Sequence, residues 1–163
     1  MSERQVVIAI DAMGGEQSPY KVLKGAEIFL QKEKNTKILF FGDEKLINQN
    51  ITKNNFNLYN YEVLNTEDII SDEDTVNTIL RSKKNSSIYK GLEFAKNNKN
   101  AGFVSSGSTA AIMVLSRLHM GMIEGIDRPA ICSLVPNKKR NVLVCKIYFD
   151  TEATINTFEF IEG

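Results

Sequence analysis

Residues 102–113, GFVSSGSTAAIM, place a short apolar strand, a loop of hydroxyl side chains around Gly107, and the start of a helix in direct succession. Val104 closes the strand, and residues 110–120 continue with apolar side chains at helical spacing. This strand–loop–helix order is the building unit of an α/β fold. Two interpretations of the loop stay open at this point: a turn with a helix cap at Ser108, or a cradle for an anion.

The same unit recurs along the chain, which predicts a layered α/β/α sandwich with a mostly parallel sheet. The predicted strands are 6–10, 38–41, 59–64, 102–104, 130–135 and 142–147. The predicted helices start at a Ser18 cap followed by Pro19, near Glu44, at Val76, at a Ser86 or Ser87 cap, and at Ala110. After Val144 neither helical nor strand periodicity is clear. We therefore expect a truncated architecture, with one recognisable domain over 1–145 and an unrecognised, aberrant tail over 146–163.

Composition narrows the class of protein. The chain has 163 residues, of which 42% are hydrophobic and 25% charged, as in ordinary soluble domains. Twenty basic side chains balance twenty acidic ones, so the formal net charge is zero and nucleic-acid binding is not expected.

Cys132 and Cys145 lack a metal-like spacing, which favours reduced thiols and predicts no metal and no cofactor. No apolar stretch reaches the length of a signal peptide or a membrane span, which predicts a cytoplasmic protein with at most peripheral membrane association.

Two loops follow predicted strands and carry polar or glycine residues. Asp11 precedes Gly14 and Gly15 after the first strand, and the segment 105–109 follows the strand that ends at Val104. Ligands bind beyond the carboxyl ends of strands in open parallel sheets, so these loops line one crevice if the two strands are parallel neighbours. Asp11 can orient a ligand, act as a base, or cap the glycine turn. Neither GxGxxG nor a P-loop motif is present, which argues against a dinucleotide or nucleoside triphosphate site.

The serine–glycine loop has the features of an oxyanion site. A helix N-terminus presents unpaired backbone N–H groups and the positive end of the helix dipole. Gly107 permits close approach to the backbone, and the hydroxyls of Ser106, Ser108 and Thr109 can donate further hydrogen bonds. The alternative is purely structural, with Gly107 as a turn residue and Ser108 as a cap.

Few charged or titratable residues outside these loops are candidates for a functional role. Arg81, Lys83 and Lys84 form a basic run that is either solvated surface or a contact for an acidic partner. Arg128 is expected to be an ion-paired loop residue. His119 is the only histidine of the sequence and lies late in its helix, where the dipole favours a cation, so we assign it no catalytic role.

Four ordered motifs resemble the bacterial phosphate acyltransferases of phospholipid synthesis. The motifs are IAIDAMGGE at 8–16, RSKKNSSIYKGLEFAK at 81–96, FVSSGSTAAIM at 103–113 and GIDRPA at 125–130. The resemblance implies an enzyme that transfers a fatty acyl group from acyl carrier protein to inorganic phosphate, and a homodimer in the family. It implies phosphate and substrate contacts at Gly14, Gly15, Ser106, Gly107 and Thr109, catalytic roles for Asp11 and Ser108, and carrier-protein docking at Lys83 and Lys84.

The chain also departs from the family pattern. Ser106, Ser108 and Ala110 replace Ala, Asn and the second Gly of the family's Ser-Ala-Gly-Asn-Thr-Gly-Ala loop, and Glu16 replaces Asp. The family's Gly-Ala-Asn-Val-Asp motif does not follow Val144. We therefore expect impaired activity in this chain alone. The alternatives are a non-catalytic module that binds carrier protein or a subunit, and a remnant without function.

Overall fold

The computed structural model describes residues 5–71, 73–125, 130–136, 142–148 and 160–161, with side chains up to residue 125. The chain forms two compact units, Met1–Met120 and Gly121–Gly163. The predictions for Arg128 and for the side chains of Cys132 and Cys145 lie outside the described residues.

The first unit is built on a four-stranded parallel sheet. Its strands are β1 (Val6–Asp11), β2 (Thr36–Gly42), β3 (Tyr61–Asn65) and β4 (Ala101–Val104). Its helices are α1 (Tyr20–Lys32), α2 (Glu44–Lys53), α3 (Val76–Ser82), α4 (Ser87–Asn97) and α5 (Thr109–Met120). The strand order is β3-β2-β1-β4, and all neighbouring pairs run parallel.

Alternating side chains of β2 show why the unit has three layers. Ile38 and Phe40 are buried on one face, against Leu23 and Leu30 of α1. The intervening Leu39 and Phe41 are buried on the opposite face, in a cluster that includes Phe94 of α4. A strand with both faces apolar needs cover on both sides. The predicted α/β/α sandwich with a mostly parallel sheet is thus confirmed.

Local capping sets several helix starts. The Asp43 side chain accepts a hydrogen bond of 3.0 Å from Leu46 N at the start of α2. Ser86 caps α4 through Tyr89 N at 3.3 Å, as the sequence predicted. Ser18, by contrast, is not the cap of α1, and that prediction is wrong. Pro19 occupies the cap position without a side-chain bond, while the Ser18 hydroxyl donates to the Gly14 carbonyl.

The third strand starts later than expected. Tyr61 is its first residue, because Asn60 adopts φ 52° and its side-chain amide donates a 2.8 Å bond to the Thr36 carbonyl. Asparagine tolerates this left-handed conformation better than most residues. The turn therefore ends before β3 begins and does not form part of it.

The second unit contains an antiparallel sheet. Its strands β5 (Ala130–Pro136), β6 (Val142–Tyr148) and β7 (Phe160–Ile161) pair in that order. The sequence predicted the first two but assigned them no partner. They pair with each other, Ser133 opposite Cys145, in a sheet separate from that of the first unit. β7 lies in the segment where no strand was expected, and its Ile161 is opposite Val144.

Candidate functional site

The loop after β1 is organised by its first residue, Asp11. This side chain is 1% exposed, and its Oδ1 accepts hydrogen bonds from Met13 N at 3.0 Å and Gly14 N at 3.1 Å. An aspartate that accepts N–H groups two and three residues ahead closes a tight turn. The structure therefore favours the turn-forming alternative for Asp11 over that of a free base.

The loop after β4 is joined directly to the first loop. Ser105 Oγ donates to Asp11 Oδ2 at 2.7 Å and accepts from Gly107 N at 3.0 Å. Ser106 Oγ donates to the Gly14 carbonyl at 2.9 Å. The expectation that the two loops share one edge is confirmed, because β1 and β4 are parallel neighbours. Ser105 was not among the predicted site residues, although it links the two loops.

Glycines are required where the loops meet. A Cβ on Gly14 would lie 2.6 Å from Gly107 N and would also collide with Asp11 Oδ2. Gly15 has φ 85°, and its Cβ would lie 2.7 Å from Ser106 Oγ. Both positions exclude larger residues, since the backbone of one loop lies directly on the other.

Helix α5 starts at this junction. The Ser108 carbonyl accepts the Ile112 N–H at 3.0 Å, which places Ser108 at the N-cap position. Ser108 also lines the cleft described below. The first N–H groups of a helix have no partner within the helix, so those of α5 can bind a ligand at this place.

A cleft of about 470 Å³ lies above these loops. It brings together six of the predicted site residues: Asp11, Gly14, Gly15, Ser106, Gly107 and Ser108. Thr109, Lys83 and Lys84 do not line it. Sequence reasoning missed the opposite wall, which consists of Ile69, Ile70, Ser71, Ser87 and Ile88. The cleft therefore has a polar floor and a largely apolar wall.

Lys83 holds in place the segment before α3, which supplies part of the apolar wall. Lys83 Nζ donates to the Ile69 carbonyl at 2.8 Å and lies 3.7 Å from Asp74 Oδ2. The hydrogen bond from the Ser71 backbone N–H, with the nearby Lys83 ammonium, holds the pKa of Asp74 below its usual range. Lys83 is thus engaged inside the molecule, whereas Lys84 is exposed.

The cleft contains little positive charge of its own. Among the described residues that line it, the charged side chains are Asp11 and Glu16, and none is basic. Attraction for an anion must therefore come from the backbone N–H groups and the dipole of α5. Within the described residues, no group of three or more His, Cys, Asp and Glu side chains is arranged to hold a metal ion. No helix among them is long and apolar enough to cross a membrane.

His119 lies away from the cleft, in the last turn of α5. It is 7% exposed, and its ring packs edge-on against Tyr89 with centroids 4.5 Å apart. Burial lowers the pKa of its imidazole, and its Nε2 has no hydrogen-bond partner among the described residues. His119 is therefore not among the described residues that line the cleft.

The strand order explains why the cleft forms at this point. From β1 the chain adds β2 and then β3 on one side of β1. It then returns, and β4 pairs with the other side of β1. The carboxyl ends of β1 and β4 therefore form a topological switch point, where open α/β sheets bind ligands. The class of protein is defined by this arrangement: a doubly wound α/β protein with a cleft between two loops at its switch point.

Comparison with known sequences identifies the family within that class. The sequence profile of the fatty acid synthesis protein family matches residues 6–157, and the chain belongs to this family. The match continues beyond Val144, where the recognisable sequence motifs end.

Several curated relatives are similar to the chain. A phosphate acyltransferase of Caldicellulosiruptor bescii is 35% identical over 156 residues, 95% of this chain and 47% of the relative. Those of Clostridium tetani and Pelagibacter ubique are 37% and 33% identical and cover 89% and 91% of this chain. The matches cover 43% and 44% of these two relatives. The chain thus spans about half the length of the curated relatives it matches.

Proposed function

We propose that the cleft binds inorganic phosphate and that the protein transfers a fatty acyl group from acyl carrier protein to this phosphate. The single observation that supports this most is the junction of the two loops at the start of α5. There, the N-terminus of a helix and the hydroxyl-bearing Ser108 lie at one cleft. The named activity of the curated relatives supports the same reaction.

The proposed reaction has a simple atomic balance. A phosphate oxygen attacks the carbonyl carbon of the acyl thioester, a C–O bond forms, and the C–S bond breaks. The carrier's sulfur leaves as thiolate and takes a proton from solvent or from the phosphate. The products are acyl phosphate and free carrier thiol. No enzyme nucleophile is needed, so the task of the protein is orientation and charge stabilisation.

Each loop residue has a distinct task in this scheme. The first turn of α5 holds the phosphate oxygens through backbone N–H groups, and the hydroxyl of Ser108 adds a hydrogen bond. Gly107 and Ser106 shape the floor of the cleft, because the Gly107 N–H donates to Ser105 Oγ and the Ser106 hydroxyl donates to the Gly14 carbonyl. Asp11 is a positioning residue, because its carboxylate holds Ser105 and the glycine turn in place. The apolar wall excludes water from the reacting centre, which limits hydrolysis of the acyl phosphate.

The test is an assay of acyl phosphate formed from acyl-carrier protein and phosphate, trapped with hydroxylamine. Ser108→Ala should raise the KM for phosphate severalfold, since it removes one of the proposed hydrogen bonds. Ser82→Ala, at the exposed end of α3, is the matched control and should leave KM unchanged. Absence of phosphate-dependent product from wild-type protein would refute the proposed reaction. Carrier-protein binding without turnover would instead identify a non-catalytic binding module.

A further inference from the structure

Helix α4 begins at the cleft, on the wall opposite the serine–glycine loop. Its first two residues, Ser87 and Ile88, line the cleft, as Ser108 does at the start of α5. The two helices are neighbours, since Ile88 of α4 and Ala111 of α5 belong to one buried cluster. Helices that connect parallel strands run opposite to those strands, so both helices start at the carboxyl edge of the sheet. The starts of two adjacent helices therefore meet at one cleft.

The two consecutive serines at the start of α4 have different surroundings. Ser86 is completely buried, and its hydroxyl donates to the Lys83 carbonyl at 2.8 Å and accepts the Tyr89 N–H at 3.3 Å. Ser87 is 4% exposed and lines the cleft, so the small accessible part of this residue faces the cleft. Ser86 thus has a structural task, whereas Ser87 belongs to the surface that a bound substrate meets.

Ser87 is one of two hydroxyl residues on the largely apolar wall. The other, Ser71, is bonded to Asp74 Oδ2 through its backbone N–H at 2.8 Å and through its hydroxyl at 3.2 Å. The carboxylate of Asp74 disfavours further negative charge beside Ser71. At Ser87 the positive end of the α4 dipole favours it. Of the two positions, Ser87 is therefore the one suited to an oxygen that becomes negative.

The proposed reaction develops negative charge at two places. One is the phosphate, which the start of α5 holds. The other is the carbonyl oxygen of the thioester, which gains charge when a phosphate oxygen attacks the carbonyl carbon. The described residues that line the cleft include no basic side chain, so hydroxyl and backbone N–H groups must stabilise this second charge. The acyl chain is apolar and favours the apolar wall, which puts the carbonyl on the side of Ser87.

We propose that Ser87 is a catalytic residue whose hydroxyl donates a hydrogen bond to the carbonyl oxygen of the acyl thioester as this oxygen becomes negative. This inference rests on the proposed function. The dipole of α4 acts in the same direction. When the C–S bond breaks, the carbonyl double bond forms again and the electron pair of that bond leaves with the sulfur, so Ser87 keeps its proton throughout. The start of α5 thus holds the attacking phosphate, and the start of α4 stabilises the transition state.

Steady-state kinetics of Ser87→Ala in the full chain test this role, with acyl phosphate trapped by hydroxylamine. The hydrogen bond is stronger in the transition state than in the bound substrate, so kcat should fall about 100-fold to 1000-fold. The KM for phosphate should stay within about twofold of the wild-type value, because α5 holds the phosphate. Ser108→Ala should show the opposite pattern, with a raised KM for phosphate and a smaller loss of kcat.

Two further variants separate a catalytic role from a structural one. Ser86→Ala removes the adjacent buried hydroxyl and the cap of α4, so its melting temperature should fall while its kcat, measured below that temperature, stays close to wild type. Ser87→Cys keeps a weaker donor, and its kcat should lie between those of Ser87→Ala and the wild type. A merely structural role would make Ser87→Ala resemble Ser86→Ala in both measurements.

The results also distinguish this inference from the proposed function. Active wild-type protein with an equally fast Ser87→Ala or Ser87→Cys variant would overturn the role of Ser87 and leave acyl transfer to phosphate standing. A raised KM for phosphate with unchanged kcat in Ser87→Ala would place this serine in phosphate binding and would overturn it as well. Absence of acyl phosphate from wild-type protein would refute the proposed function and this role together.

Discussion

Ser105 Oγ lies 2.7 Å from Asp11 Oδ2, in a hydrogen bond that joins two residues 94 positions apart in sequence. Asp11 is almost completely buried, so its carboxylate depends on protein donors. Two of these come from its own turn and one from Ser105. The shape of the cleft floor therefore depends on this long-range contact.

Ser105→Ala should destabilise the protein by about 1–3 kcal/mol, because the buried Asp11 Oδ2 loses its donor. Urea unfolding, monitored by circular dichroism, measures the change. Ser106→Ala removes a bond between an exposed side chain and the Gly14 carbonyl, and should cost less than about 1 kcal/mol. An equal loss of unfolding free energy in the two variants would show that the contact between Ser105 and Asp11 stabilises the protein no more than the exposed one does.

Gly14→Ala should reduce the free energy of unfolding by about 1–3 kcal/mol, since the added Cβ meets the Gly107 backbone at 2.6 Å. Gly25→Ala is the natural control, because no atom lies within 4 Å of its added Cβ and it sits inside α1. That control should gain about 0.5–1 kcal/mol from higher helix propensity. Tolerance of Gly14→Ala in the same unfolding experiment would contradict the close contact of the loops.

Lys83→Met should loosen the apolar wall of the cleft, because the Ile69 carbonyl and Asp74 lose their shared cation. Hydrogen exchange of residues 67–75 should become faster, while exchange in β1 and β2 stays unchanged. Lys84→Met removes the same charge from an exposed neighbour and should have no local effect. If both variants exchange alike, the contact of Lys83 does not hold the wall.

The protein should lose stability as pH falls below about 6.5, the ordinary pKa of histidine. Burial depresses the pKa of His119 in the folded state, opposed by Glu93 and reinforced by Lys96 and Lys90. Below the ordinary value the unfolded chain takes up a proton that the folded chain refuses, so stability falls until the folded pKa is reached. His119→Phe keeps the aromatic packing on Tyr89. In this variant the free energy of unfolding should change less between pH 7.5 and 5.5, roughly the range over which histidine titrates, than it does in the wild type.

Periodicity and capping chemistry predicted most elements of the first unit. The run of apolar residues in β2 and the Ser86 cap of α4 are local signals, and both appear where expected. Ser18 failed as a cap because its hydroxyl found the Gly14 carbonyl across the loop. That contact depends on the tertiary path of the loop, which local propensity does not describe.

The candidate site was predicted only on its polar side. Motifs after two strands pointed to the loops of Asp11 and Ser108, and the parallel pairing of β1 with β4 brought these loops together. Ile69 and Ile70 could not be placed in the cleft from sequence. They belong to a segment that is held by two contacts: Lys83 donates to the Ile69 carbonyl, and the Asn85 backbone N–H donates to Asp68. Such contacts do not follow from the periodicity of the sequence.

The pairing of β1 with β4 also has a consequence for how the chain acquires its shape during synthesis. Residues 7–10 of β1 pair with 101–104, whereas β1 and β2 are separated by a single helix. Contacts with long sequence separation form slowly, because a large loop must close first. On the ribosome, β1, β2 and β3 can assemble before β4 emerges. Protection of the Asp11 turn in a pulse-labelled nascent chain should therefore appear last, as a marker that the sheet has been completed.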